Sequence, residues 1–156
     1  MGEALLARME ALGVALDVSH LSDEAFFTAL ARFRGPVAAT HANARALTPT
    51  PRHLSDEMLL ALRVRDGVVG LVPFNAFLEA GWKRGMARLP LSRFFAQKAY
   101  LEARLGGERV GLGSDWDGGF GLECAPLGLE AHRDLARLGN EDFLGGNWIR
   151  WLQTWL

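Results

Sequence analysis

Two hydrophobic periodicities take turns along the chain. Residues 3–12 place Leu5, Met9 and Leu12 on one helical face, and Gly13 ends the segment. Residues 14–18 form a short apolar run broken only by Asp17, the pattern of a strand. Ser22 then stands as an N-cap with Asp23 and Glu24 in the first turn, where the helix dipole favours anions, and Phe26, Leu30 and Phe33 supply a buried stripe up to Gly35-Pro36. Residues 37–40 predict a second strand, and a proline-punctuated polar loop runs from His41 to His53. The Ser-acid-acid start repeats at Ser55, Asp56 and Glu57, with Met58, Leu59 and Leu62 facing the core. Asp66-Gly67 breaks that helix, and residues 68–72 form a third strand.

Beyond a mixed stretch of loop and short helix at 73–90, residues 92–105 predict a longer helix capped by Ser92, with Phe95, Ala99 and Leu105 inward. Residues 109–113 are the fourth strand. A glycine-rich loop from Asp115 to Gly128 leads to a helix at about 130–138, and residues 145–156 predict a last helix carrying Trp148, Trp151 and Trp155. Four strands alternating with helices imply a parallel sheet with right-handed crossovers. The strand ends fall near residues 20, 41, 72 and 115. Their mean spacing approaches the roughly 31 residues per unit of a ~250-residue eight-unit barrel, so four units amount to half a barrel; a small open α/β sheet is the structural alternative.

The polar residues follow the strands. Asp17 and His20 end the first, His41 ends the second, and Asp115 and Asp117 follow the fourth. Carboxyl ends of parallel strands form the active-site face of α/β folds. Neighbouring strands lie about 4.8 Å apart, so imidazoles at two adjacent ends can converge on one metal ion. Asp115 is then placed to act as acid or base on a water. Arg52, in its loop, can clamp a carboxylate if the loop folds over the site. Plainer readings stand beside these: a strand-end histidine with a structural partner, a tight turn at Asp117-Gly118-Gly119, a solvated arginine. His53 and His132 are expected at the surface, and the tryptophans as a core or partner-facing stripe.

Composition narrows the function classes. The 156 residues suit one domain, 1–156, and 49% hydrophobic residues suffice for a core. With 17 basic against 18 acidic residues, nothing favours nonspecific nucleic-acid binding or a polybasic membrane patch. No apolar run approaches a bilayer span, and residues 1–8 do not form a signal peptide. The single cysteine, Cys124, excludes an internal disulfide and a cysteine-built zinc finger, so a cytoplasmic setting is expected.

Five segments, in order, resemble the renal or membrane dipeptidase family of zinc-dependent peptidases. ALGVALDVSHLSDEAFFTAL is similar to that family's strand ending in Asp-x-Ser-His with its following helix. GPVAATHANARAL resembles its second His segment, TPRHLSDEML the arginine segment, VGLGSDWDGGFGLE the glycine-rich strand end, and GGNWIRWL the closing helix. The resemblance implies an α/β fold, the C-terminal half of a metal-dependent (β/α)8 barrel with four parallel strands and flanking helices. It implies His20 and His41 as ligands of one zinc, Arg52 as the residue holding the substrate carboxylate, and Asp115 as the acidic residue contacting the attacking water and the substrate's amino group. Asp17 corresponds to a supporting residue behind the ligands. Thr40, Ala42 and His53 stand where the family usually has serine, serine and asparagine.

The family's other ligands, a first-strand His-x-Asp pair and a carboxylate bridging two metals, belong to a preceding half with no counterpart among these segments. A half-barrel leaves two sheet edges unpaired and an apolar inner face uncovered. The expected partners are therefore a dipeptide substrate and either a second copy of the chain or a separately encoded N-terminal half. The rival expectations are a catalytically inactive fragment that retains the motifs, and an interaction module using the tryptophan-rich end.

Overall fold

The computed structural model describes residues 2–155. Its elements run α1 (Gly2–Ala11), β1 (Leu16–Asp17), α2 (Asp23–Arg32), β2 (Val37–Ala38), α3 (Asp56–Val64), β3 (Val69–Leu71), α4 (Asn75–Leu78), α5 (Leu91–Leu105), β4 (Val110–Leu112) and α6 (Asn147–Gln153). β1 pairs in parallel with β2, and β3 with β4; an Ala39–Val69 bridge, also parallel, joins the pairs into the order β1-β2-β3-β4. The fold is thus α/β with parallel strands, and among the described residues β1 and β4 each pair on one side only.

Local chemistry sets several boundaries. The Ser22 hydroxyl accepts from the Ala25 N–H at 3.3 Å, and the Ser55 hydroxyl from the Met58 N–H at 3.2 Å, so both Ser-acid-acid segments cap their helices. Other expectations shift. α1 turns Leu6 and Met9 to the core, and leaves Leu5 and Leu12 in solvent. α5 begins after Pro90 without a side-chain cap, and buries Phe94, Gln97, Leu101 and Leu105, with Phe95 and Ala99 outside. Adjacent aromatics made that face ambiguous: a one-residue change of choice rotates the stripe by about 100°. The segment at 130–138 is a tighter 3₁₀ helix, His132–Leu138, and α6 follows a single π-turn at Asp142–Gly146. The last helix was expected to reach Leu156, which lies outside the described residues.

Alternation splits the strands between two faces. Leu16, Val18, Val37, Ala39, Val69, Leu71 and Val110 pack outward in the main core with the helices. The opposite face carries Ala38 and Val68, and it is not bare: both are buried in a second cluster with Trp151, flanked by Ala15 and Trp148. The Trp148 indole N–H donates to the Leu112 carbonyl at 3.0 Å. The C-terminal helix therefore covers the part of the inner face around Ala38 and Val68, where its indoles supply the apolar bulk that small strand residues omit. Glycine is required here: a Cβ on Gly111 would collide with the Trp148 indole, and one on Gly70 or Gly113 with the Thr40 carbonyl.

His53 corrects another expectation. It is 1% exposed, and its ring meets Phe77 edge-on at 4.8 Å. Burial, and next the nearby Arg52 charge, push its pKa from the ordinary 6.5 down to about 4.

Two measurements follow. Gly70→Ala should lower unfolding stability by about 1–3 kcal/mol in urea titrations through forced overpacking, whereas Gly145→Ala, with open space around its Cβ position, should not destabilise. Between pH 6.5 and about 4 the unfolded chain takes up a proton that folded His53 refuses. Stability is therefore full above 6.5 and falls as the pH drops, by at most ~3 kcal/mol from this group. His53→Asn should flatten urea-midpoint profiles in that window.

Candidate metal centre

The parallel register places two histidines at one height. Asp17 pairs with Ala38, and His20 and His41 each follow three residues later. Their Nε2 atoms lie 3.0 Å apart, with ring centroids at 5.0 Å. His20, which is exposed, has a left-handed backbone conformation (φ 68°), uncommon outside glycine. The His41 N–H donates to the Ser19 hydroxyl at 3.2 Å, tying the two strand ends together.

Behind His41 lies a short polar chain. Asp17 Oδ1 accepts the N–H groups of Ser19 at 2.9 Å and Thr40 at 3.0 Å, and Oδ2 accepts the Thr40 hydroxyl at 2.5 Å. The Thr40 oxygen lies 2.7 Å from His41 Nδ1. Burial pushes the Asp17 carboxyl up, but these hydrogen bonds, the Thr40 hydroxyl first, outweigh it and hold its pKa below the ordinary range.

Arg52 reaches the histidines from the loop after β2. That loop is held by an Ala44–Leu54 bridge, by Gln97 of α5 accepting the Ala44 N–H at 2.9 Å, and by Asn43 exchanging hydrogen bonds with Val72 at 2.9 and 3.2 Å. Arg45 clamps Asp23 through both terminal nitrogens at 2.7 and 2.8 Å. So held, Arg52 Nη2 donates to the His41 carbonyl at 2.7 Å and lies 3.2 Å from His20 Nε2. Its Nε and Nη1 are buried with no hydrogen-bond partner among the described residues. Its guanidinium lies 5.3 Å from the Phe77 ring centroid. Burial lowers the Arg52 pKa, partly offset by the Asp115 and Asp17 charges.

Asp115, after β4, is half-buried and also left-handed (φ 53°). Its charge is felt at both His20 and Arg52. The His20 pKa is lowered, chiefly by burial and then by Arg52 and His41, which keeps a neutral imidazole available. The structure thus brings His20, His41 and Arg52 into contact, and places Asp115 near enough for its charge to act on His20 and Arg52. Sequence reasoning missed Phe77 and Gln97, and noted Thr40 only as a replacement; a hydroxyl directly before a strand-end histidine was the available signal.

Two imidazole nitrogens aimed at one point suit a zinc ion, which takes neutral imidazole at about 2.0–2.1 Å. A tetrahedral pair at that length stands about 3.3 Å apart, near the 3.0 Å found. Among the described residues no group of three or more His, Cys, Asp or Glu could hold a metal ion, so the pair fits part of a zinc site. The chain's one His-x-Asp, His132-Arg133-Asp134, is no ligand pair: His132 is exposed, and Asp134 accepts the Glu130 and Ala131 N–H groups at 2.8 Å each.

The profile of the membrane dipeptidase family, peptidase family M19, matches residues 1–144. A Klebsiella pneumoniae protein from the pqqA 5′ region, itself uncharacterised, is 41% identical over 117 residues, covering 75% of this chain and 43% of that protein. The Aspergillus oryzae dipeptidase aclJ is 31% identical over 129 residues, 83% of this chain and 29% of that one. Among solved structures, a Rhodobacter sphaeroides metallopeptidase liganded with a phosphinate mimic of the dipeptide L-Ala-D-Ala superposes with a TM-score of 0.89 at 30% identity, covering 99% of this chain and 46% of that one. The dipeptidase AC, an M19 metallopeptidase, gives 0.88 at 31% identity, with 99% and 48% covered. The chain spans less than half the length of these relatives. On its sequence and its fold, the chain belongs to the membrane dipeptidase family.

Proposed function

We propose that this chain is the C-terminal half of a zinc-dependent dipeptidase barrel and carries one side of its active centre. The observation that carries the reading is the convergence of the His20 and His41 Nε2 atoms, 3.0 Å apart, at the carboxyl ends of adjacent parallel strands. His20 and His41 hold the zinc. Bound zinc supplies Lewis acidity toward a water and a peptide carbonyl. Asp115 takes the proton from the attacking water and contacts the substrate's amino group. Arg52 binds the substrate's terminal carboxylate through its guanidinium, which has donor capacity left unused within the chain.

The remaining ligands come from the other half of the barrel, provided by a separate N-terminal chain or by a second copy. The free sides of β1 and β4, and the limited share of the solved relatives that this chain spans, support that arrangement. An interaction module built on the tryptophan-rich end has less support, since Trp151 is buried and Trp148 is hydrogen-bonded to β4.

Zinc content after desalting tests the centre. The chain alone or with its complement should retain about one zinc per polypeptide through these ligands, and His41→Ala should abolish it. Retention unchanged in His41→Ala, or none in either form, would remove the proposed site. In the assembled enzyme Arg52→Ala should raise KM roughly 10- to 100-fold, as expected for lost hydrogen bonds to a charged group worth about 1.5–3 kcal/mol, with kcat much less affected.

A further inference from the structure

The ring nitrogens of His41 have different partners, and the difference is built from two other side chains. Asp17 Oδ1 is already engaged by two backbone N–H groups, and Oδ2 faces the Thr40 hydroxyl at 2.5 Å. A carboxylate only accepts, and a hydroxyl has one proton. That proton is therefore directed to Asp17. The Thr40 oxygen, 2.7 Å from His41 Nδ1, is left to accept, so Nδ1 must carry the hydrogen. Nε2 then presents its lone pair toward His20 Nε2. We propose that Thr40 is a positioning residue which, oriented by Asp17, locks His41 in the Nδ1–H tautomer and so turns Nε2 into a permanent acceptor.

For its purpose this inference rests on the reading of His41 as a zinc ligand, but its decisive readout needs no metal. Without the lock an imidazole distributes its proton between both nitrogens, and each molecule with Nε2–H must surrender or move that proton before binding a cation. Supporting hydrogen bonds of this kind are typically worth 10- to 100-fold in metal affinity. The adjacency is also covalently economical: Thr40 and His41 are neighbours in sequence, and the Thr40 N–H itself bonds Asp17 at 3.0 Å. Backbone and hydroxyl thus anchor to the same carboxylate, which leaves the hydroxyl little freedom to turn its proton toward the imidazole.

The experiment is two-bond ¹H–¹⁵N correlation spectroscopy on the zinc-free chain, labelled with ¹⁵N-histidine and held at a pH where histidine is neutral. His41 should show a protonated Nδ1 and an unprotonated Nε2. A wild-type spectrum with the proton on Nε2 overturns the proposal without reference to any variant. Thr40→Val, which keeps the shape and removes the hydroxyl, should shift His41 toward a tautomer mixture, and Thr40→Ser should restore the wild-type pattern. An unchanged tautomer in a folded Thr40→Val protein also overturns it. If Thr40→Val does not fold, Asp17→Asn serves: its amide can donate to the Thr40 oxygen, frees the hydroxyl proton, and should loosen the same preference. Zinc titration of the same proteins should then show a 10- to 100-fold weaker affinity for Thr40→Val, recovered in Thr40→Ser. A wild-type chain with the expected tautomer but no zinc affinity, alone or with its complement, would remove the zinc centre and leave the lock standing, so the two readings fail separately.

Discussion

The parallel pairing of β1 with β2 is the constraint on which the candidate centre depends. Once Asp17 is opposite Ala38, equal three-residue extensions carry His20 and His41 to the same level above the sheet. A slip of one residue would displace one histidine along the strand by about 3.3 Å and turn its side chain to the other face. The register is in turn held by packing: Leu16 and Val37 bury against the helices, and Asp17 ties back to Thr40 with two hydrogen bonds across the same strand pair. The residue that helps align the strands is the one that orients His41. Fold and site share a single hydrogen-bonded junction.

Strand-end packing makes the second contribution. Gly70 and Gly113 allow the Thr40 carbonyl to press between β3 and β4, and Gly111 admits the Trp148 indole. Larger residues there would push the strand ends apart, and the distance between Asp115 and the histidines with them. The price is a lean inner face, and Trp148 with Trp151 fills it from the C-terminal helix. Two of the three tryptophans expected as a core or partner-facing stripe thus pack under the sheet, while Trp155 remains exposed.

What was legible in the sequence is what short-range chemistry decides. Ser22 and Ser55 announced their helices because capping needs only the next three residues. One strand-end histidine has a ready structural explanation, so the pair was legible only because His20, His41 and Asp115 recur at successive strand ends. The rotation of α1 and α5 was not legible. Apolar residues lie on more than one face of each helix, and the choice between Phe94 and Phe95, or Leu5 and Leu6, is made by the neighbour it meets. His53 was hidden for a related reason. Its loop is polar, but Gln97, Asn43 and Arg45 fold that loop onto the core, and those partners come from residues 8 to 53 positions away in the chain.

The unmet valences at the candidate site point one way. Arg52 holds two buried donors without acceptors, and beside it the His20 and His41 Nε2 atoms face each other at 3.0 Å. Buried polar groups without partners cost stability, commonly about 1–3 kcal/mol each, so a fold does not collect them at random. The left-handed backbones of His20 and Asp115 add local strain at the same strand ends. Guanidinium donors that lack an anion, beside two imidazoles brought together at adjacent strand ends, suit a site for a metal ion and a carboxylate-bearing substrate. The guanidinium and the imidazoles are also neighbours, because Arg52 Nη2 lies 3.2 Å from His20 Nε2. Binding a cation at the histidines would release that contact and leave the guanidinium freer to take a carboxylate, which couples the two halves of the site through one arginine.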